Sequence, residues 1–515
     1  MKKLLLMFTV LLSVVSGFGQ NSSITWGKEN RPAKRGTVYS IIGEREGGIF
    51  IIKKDKKDNR YLDRFNLDDL SFDFSKDIEL SRKRNSRKKS DKLEYMRVLL
   101  MKKNLIVFAT QYDKKLKQNK LYARRYDFDG SPDGKWENIA KIQGKKKKSK
   151  GSFNVAISED ESFFVVEEAQ PQSKEVNGEE YNFQVYDSDL IQVYGKEGIK
   201  LLKEEGKELK SHKIGKDNRV YFISVHSNSD KLYSFDVNTE AGNLKEFNIT
   251  FDDKDIVESA FSFDNEGNIL IVGFYTDRGK KYNYGLSGTF YIKLDAKTFE
   301  PIVSNTNEFD KKFLTNFMSE RRANKGKSGI PLSFDMSHFI IKPDGSVIVM
   351  AENRYSVQHC RSSNSGNMGG GLSVGVQVCY WLHHFNEVIV LNIDAKGTTK
   401  YNRVVKKRGL SREYDDGLLS FGIIPTEDKL MVVYNDHYKN VQPGNKKIRY
   451  LPKHKKRVLA MQTITEDGES NVEVIAKHSD EKLEILPRNA VRIDSGIILF
   501  GHYKKTIKLG KLIID

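Results

Sequence analysis

The 515-residue chain predicts an all-β fold, a single β-propeller, and three observations lead there. Helix-period segments are scarce, while short runs rich in Val, Ile, Phe and Tyr recur from end to end. One unit, a tight turn of Asp, Asn, Gly or Glu followed by an apolar strand, returns eight times. Around most copies stand a preceding apolar strand and a third strand that often ends in Asp, with a weaker fourth behind it. Four antiparallel strands per unit with tight turns is the pattern of propeller blades.

The units read GG-IFII (from Ile49), KKN-LIVFAT (Leu105), EDES-FFVVEE (Phe163), KDNR-VYFISV (Val220), NEGN-ILIVGF (Ile269), PDGS-VIVMAE (Val347), TEDK-LMVVYN (Leu430) and DSG-IILFGH (Ile497). Their spacing of about 50 to 85 residues exceeds that of the commonest propeller repeats. Preceding strands include Phe261-Ser262-Phe263 and His338-Phe339-Ile340-Ile341; third strands end at Asp236, Asp295 and Asp394. A single unit cannot bury both its faces, so units stack around an axis and cover one another. Eight signals give eight blades, with seven as the alternative because the first and last units are the least regular. No Pro/Ser/Gly linker separates two domains. The last unit runs out at Ile514 one strand short, and Ser23–Trp26 is expected to supply that strand as an N-terminal clasp. Residues 20–515 are therefore read as one propeller, with insertions at 305–331, 355–386 and 436–457.

The first nineteen residues carry an address. Lys2-Lys3 precedes a short apolar run, Leu4 to Val15, and mostly small residues follow up to Gln20. That is the pattern of a cleaved signal peptide, too short for a membrane span. The expected location is the periplasm, with the extracellular space as the alternative, and no transmembrane segment remains in the mature chain. A net charge of +18 in that compartment points to an anionic neighbour and away from nucleic acid. The chain has two cysteines, Cys360 and Cys379, and in an oxidising compartment they are expected to form a disulfide. Closing a loop of that size contributes roughly 3 kcal/mol in the chain-entropy model. The rival is a metal site with His359, His383 and His384, which the oxidation of thiols disfavours.

These cysteines belong to an unusual stretch. Between Ser362 and Asn386 there is no Asp, Glu, Lys or Arg, in a chain that is 30% charged. A 25-residue window of this composition lacks charge with a probability on the order of 10⁻⁴. The alternation of Leu372, Val374, Val376 and Val378 reads as a hairpin with one apolar side, continued by Tyr380, Trp381 and Leu382. With strands a to d counted outward in each unit, the stretch is a b–c connection. So is 436–457, with its basic run ending in Lys455, Lys456 and Arg457. The basic runs at 81–92 and at 144–150, which holds Lys145, Lys146, Lys147 and Lys148, are d–a connections. The segment 305–331, with Phe309, Phe313, Leu314 and Phe317 at helical spacing, is another. All of these fall on one face of a propeller. An apolar hairpin there covers the protein's own channel, contacts a protein or enters a membrane. The partner-binding residues are read as Leu372, Tyr380 and Trp381 for apolar anchoring and the named basic side chains for steering.

Motifs for chemistry are weak. Gly371 to Gly375 matches G-x-S-x-G, but that motif needs a strand-turn-helix elbow in an α/β sheet. Asp127 to Gly134 suggests a calcium loop, yet Pro132 stands where the loop needs Gly and Asn138 where it needs Glu. Turn chemistry accounts for it better. No catalytic residue, metal site or cofactor is assigned. The alternative function is a glycan-binding protein or hydrolase that draws residues from several blades into the channel.

The Gly19-Gln20 end of the leader, the opening Ile24-Thr25-Trp26-Gly27 and the long loose repeats resemble exported propeller proteins of Bacteroidota. In size and basicity the chain is similar to the plug subunits of type IX secretion translocons. That resemblance implies a non-enzymatic periplasmic propeller that docks, through its insertion-bearing face, to an outer-membrane complex with an acidic face.

Overall fold

A computed structural model of the protein describes residues 23–30, 36–55, 57–81, 92–144, 146–171, 178–202, 208–217, 219–225, 230–235, 245–278, 285–325, 329–363, 376–412, 414–442, 447–494, 496–503 and 506–514. The expected signal peptide lies outside them. Among these residues the strands form eight antiparallel sheets in chain order. We number them sheet 1 (36–78), sheet 2 (94–143), sheet 3 (152–202), sheet 4 (208–249), sheet 5 (254–308), sheet 6 (334–405), sheet 7 (421–477) and sheet 8 (484–513). Sheets 1 to 7 are four-strand meanders, sheet 8 is a three-strand meander completed by a strand from the N-terminus, and sheet 6 carries a fifth short strand, Gly409–Ser411.

The second strand of every sheet is apolar on both sides, and the core shows why. In Gly48–Asp55, Ile49 and Ile51 pack toward sheet 8 while Phe50 and Ile52 pack toward sheet 2. In Val347–Ser363, Val347 and Val349 face sheet 5, and Ile348 and Met350 face sheet 7. Period-2 side chains on a strand buried on both faces give a continuous apolar run rather than an alternating one. Every core cluster of this kind is shared by two sheets that follow one another, and one of them joins sheet 8 to sheet 1. The core therefore closes on itself, which is the propeller the sequence predicts.

Closure is completed by the clasp. Ile24–Trp26 pairs antiparallel with Thr506–Ile513, as the outer strand of sheet 8. Gly27 N–H then donates to Leu509 O at 2.9 Å. The Trp26 ring lies where a Cβ on Gly510 would stand, 2.7 Å away, so glycine there is what lets the indole seat on the sheet. The Asp that ends many third strands opens the c–d turn. Asp295 accepts from Lys297 N and Thr298 N, and Asp394 from Lys396 N and Thr398 N, at 2.8–2.9 Å. A short carboxylate that bonds backbone two residues on is the usual chemistry of such turns. The stretch around Asp127 is a turn of the same kind, with Ser131 N–H donating to Asp129 at 2.7 Å.

The insertions differ in construction. The strand Pro301–Glu308 takes the first residues of 305–331, and two short helices, Lys311–Leu314 and Glu320–Asn324, follow. Phe309, Phe313 and Leu314 are buried in the core shared by sheets 5 and 6, so their helical spacing serves packing. The charge-poor stretch extends two strands of sheet 6, Val347–Ser363 and Val376–Ile393, well past their neighbours. The described residues of 438–456 are a loop that ends in one turn of 3₁₀ helix, His454–Lys456, and Arg457 already belongs to the next strand.

Candidate interaction face

A meander puts all b–c and d–a connections at one end of the sheets, and around sheet 7 neighbouring ones touch. Leu451 N–H donates to Arg408 O, which ties the sheet 7 insertion to the segment between sheets 6 and 7. The His454 ring nitrogen bonds Leu483 O at 3.0 Å, which ties the same insertion to the segment before sheet 8. From this platform the sheet 6 hairpin rises as an arm. Its pairs run from Arg354↔Phe385 to Ser363↔Val376, and Cys360 sits directly opposite Cys379. The two are joined by a disulfide. A cross-strand bond at that register reinforces a two-stranded ribbon, which by itself is marginally stable in water.

One side of the arm carries stacked rings. Tyr355 stacks on His384 at 4.4 Å and His359 on Tyr380 at 6.0 Å. The Arg412 guanidinium lies 4.2 Å over the Tyr380 ring. On the other side Ser356 and the His383 imidazole form a 2.8 Å hydrogen bond, and Tyr414 covers His383 and Phe385 edge-on. Beyond this root the arm is open to solvent. Trp381 is 51% exposed and Val378 56%, with Tyr355 and Val357 also exposed.

The root is held by a buried charge cluster. Glu352, fully buried, meets Lys407 Nζ at 2.5 Å through one oxygen and Arg354 Nε at 2.6 Å through the other. Ser420 Oγ donates to the second oxygen at 2.7 Å. Lys407 also donates to Phe385 O and Leu419 O, and Arg354 N–H to Ser333 O. Burial alone would raise the Glu352 carboxyl, but Lys407 and Arg354 outweigh it and hold the group below its ordinary range. Paired in this way the charges fix where the arm leaves the propeller.

Next to this root, burial pushes the Asp436 carboxyl up to about 7, against hydrogen bonds from His437 N and Asn440 Nδ2. A carboxyl raised in the folded state adds stability that is complete below about pH 4 and is lost as pH rises through about 7. Asp436→Asn should therefore gain on the wild type between those values, by on the order of 2–4 kcal/mol at pH 8. Urea unfolding at pH 4 and pH 8 measures it; equal differences at both pH values would show that the carboxyl titrates normally.

The expected partner-binding residues separate on inspection. Trp381 is exposed and Tyr380 partly so, both on the arm. Lys146, Lys147 and Lys148 are exposed on a tight turn between sheets 2 and 3, and Lys455 and Lys456 are exposed on the sheet 7 insertion. These two basic groups share a face but stand on nearly opposite sides of the ring, so they make no single patch. Arg457 must be corrected. It is buried, and its guanidinium bonds Glu484 and Pro452 O at 3.1 Å, so its charge is spent inside the propeller. Leu372 and Lys145 lie outside the described residues, as does the G-x-S-x-G match. Sequence reasoning missed Glu352 and Lys407, because 54 residues and a whole hairpin separate two charges that only the fold brings together.

No protein-family model and no curated protein matches the sequence. The fold has solved neighbours at low identity. A protein of unknown function from Bacteroides caccae is 9% identical, covers 68% of this chain and 95% of its own, with a TM-score of 0.28. A polysaccharide lyase, an ulvan lyase, is 10% identical over 95% of this chain and 96% of its own, with a TM-score of 0.39. The β-propeller domain of the Trilobed protease from Pyrococcus furiosus is 11% identical over 82% and 98%, with a TM-score of 0.35. Likeness at this level reaches no further than the fold, and a fold by itself does not fix a function. Among the described residues no helix is long and apolar enough to cross a membrane.

Proposed function

We propose that this chain is a non-enzymatic docking module of the periplasm that binds an envelope protein, at an outer-membrane complex such as a protein-secretion translocon, through its insertion-bearing face. The observation that carries this reading is the disulfide-tied arm, whose exposed Trp381, Val378, Tyr355 and Val357 stand clear of the propeller core. Apolar and aromatic groups held out on a stiff support are what an interaction anchor requires. Lys146–Lys148 and Lys455–Lys456, set around the same face, would steer an acidic partner without adding much to the final affinity.

Affinity capture in mild detergent, read by mass spectrometry, should return an envelope protein with an acidic surface. Specific retention of a glycan instead would favour the channel as a binding site. With the captured partner, Tyr380→Ala/Trp381→Ala should dissociate at least about tenfold faster, a loss of roughly 1.4 kcal/mol or more. Its own unfolding should shift by less than about 1 kcal/mol, since Trp381 is half in water. An unchanged dissociation rate would remove the arm from the interaction.

A further inference from the structure

The innermost strand of sheet 8, Glu484–Ile493, breaks its ladder between Leu486 and Val491. The extra residues bulge away from sheet 8 and lie over the inner strand of sheet 7. Pro487 O comes within 2.5 Å of where a Cβ on Gly422 would stand, so sheet 7 accommodates the bulge only because that position has no side chain. The Asn489 side chain lies 3.2 Å from where a Cβ on Gly417 would stand. The bulge carries Arg488 past sheet 7 to the inner strand of sheet 6, where Nη1 donates to His338 Nε2 at 3.1 Å. Innermost strands line the central channel of a propeller, and bulges that re-aim a side chain gather beside functional sites.

Arg488 arrives there without an acid to meet it. Among the described residues its one hydrogen bond goes to His338, and no carboxylate forms an ion pair with it. Burial, then Arg488 beside it, pushes His338 down to about 4, so the imidazole is neutral and accepts the Arg488 N–H. Arg354 is close enough to repel Arg488, and burial with that repulsion pulls the Arg488 guanidinium down. Glu352 cannot serve both, because its oxygens are taken by Lys407, Arg354 and Ser420. Asp416 acts on Arg488 only at a distance. Among the described residues Lys407 and Arg354 are thus paired with Glu352, and Arg488 is left without an ion-pair partner.

We propose that Arg488, with Arg354 and His338 around it, forms a carboxylate-binding site at the insertion-face end of the central channel. A guanidinium offers a planar fork that matches a carboxylate, and one guanidinium without an ion-pair partner is neutralised by a monoanion. A dianion such as phosphate would add a charge that Glu352 and Asp416 repel. The carboxylate is a free organic acid or the side chain of a docked protein; the site's chemistry is the same for both.

The test uses the isolated protein, so its outcome is independent of whether the arm docks a partner. Arginines are modified with phenylglyoxal and the rate at each is read by peptide mapping. Propionate at about twice its dissociation constant should slow modification of Arg488 about threefold. Arg492, exposed on the same strand, should be unaffected, and sodium chloride at equal ionic strength should protect neither. A capped glutamyl peptide that protects Arg488 at lower concentration than propionate would identify a protein side chain as the source; the reverse order would identify a free acid. Equal rates with and without propionate, or equal protection by chloride, would overturn the site. Protection by inorganic phosphate at lower concentration than by propionate would overturn its assignment to carboxylates.

Discussion

Lys407→Met is expected to destabilise the propeller by about 3–5 kcal/mol. The substitution keeps most of the side chain's volume and removes the ammonium with its charge and its donors. Glu352 would then be left fully buried with Arg354 and Ser420 as its remaining partners, and Phe385 O and Leu419 O would each lose a donor. The cost of stranding a buried charge is far larger than the net worth of the pair, so a second substitution should give some of it back. Glu352→Gln/Lys407→Met is expected to be less destabilised than Lys407→Met alone by about 1–2 kcal/mol. Chemical unfolding of the three proteins checks both statements. A single variant within about 1 kcal/mol of wild type would mean that the cluster is reached by water. Because Arg354 and Phe385 stand at the arm's root, Lys407→Met should also speed proteolysis of the arm between Tyr355 and Leu382.

Removal of residues 24–27 is expected to cost about 5 kcal/mol, counting partial burial of the Trp26 ring and the lost backbone bonds at about 1 kcal/mol each. Trp26 packs against the core shared by sheets 7 and 8, and the clasp covers the outer strand Thr506–Ile513. Without it sheet 8 ends in an open edge, so aggregation at micromolar concentration should accompany the lower melting temperature. Trp26→Ala separates the two effects: it should lose stability with little aggregation, since backbone pairing along the edge is kept. Unchanged melting of the truncated chain would show that ring closure rests on the apolar contacts between sheets 8 and 1 alone.

The propeller is legible in the sequence alone. Eight apolar runs flanked by turn residues can be read locally, because a strand buried on both faces, such as Gly48–Asp55, writes its environment into consecutive residues. The clasp was legible for a related reason, since a unit one strand short needs its fourth from the other end of the chain. The cysteines and the charge-poor stretch likewise marked the arm before its register was known. The tertiary structure decided which charges matter. Arg457 reads as one more residue of a basic run and is in fact buried on Glu484. Glu352, Lys407, His338 and Arg488 carry no local signature, because their roles depend on distances between residues far apart in the chain. Periodicity records what one strand faces; an ion pair or a guanidinium crossing from sheet 8 to sheet 6 is set by where the ring brings separate strands, and no short window contains that.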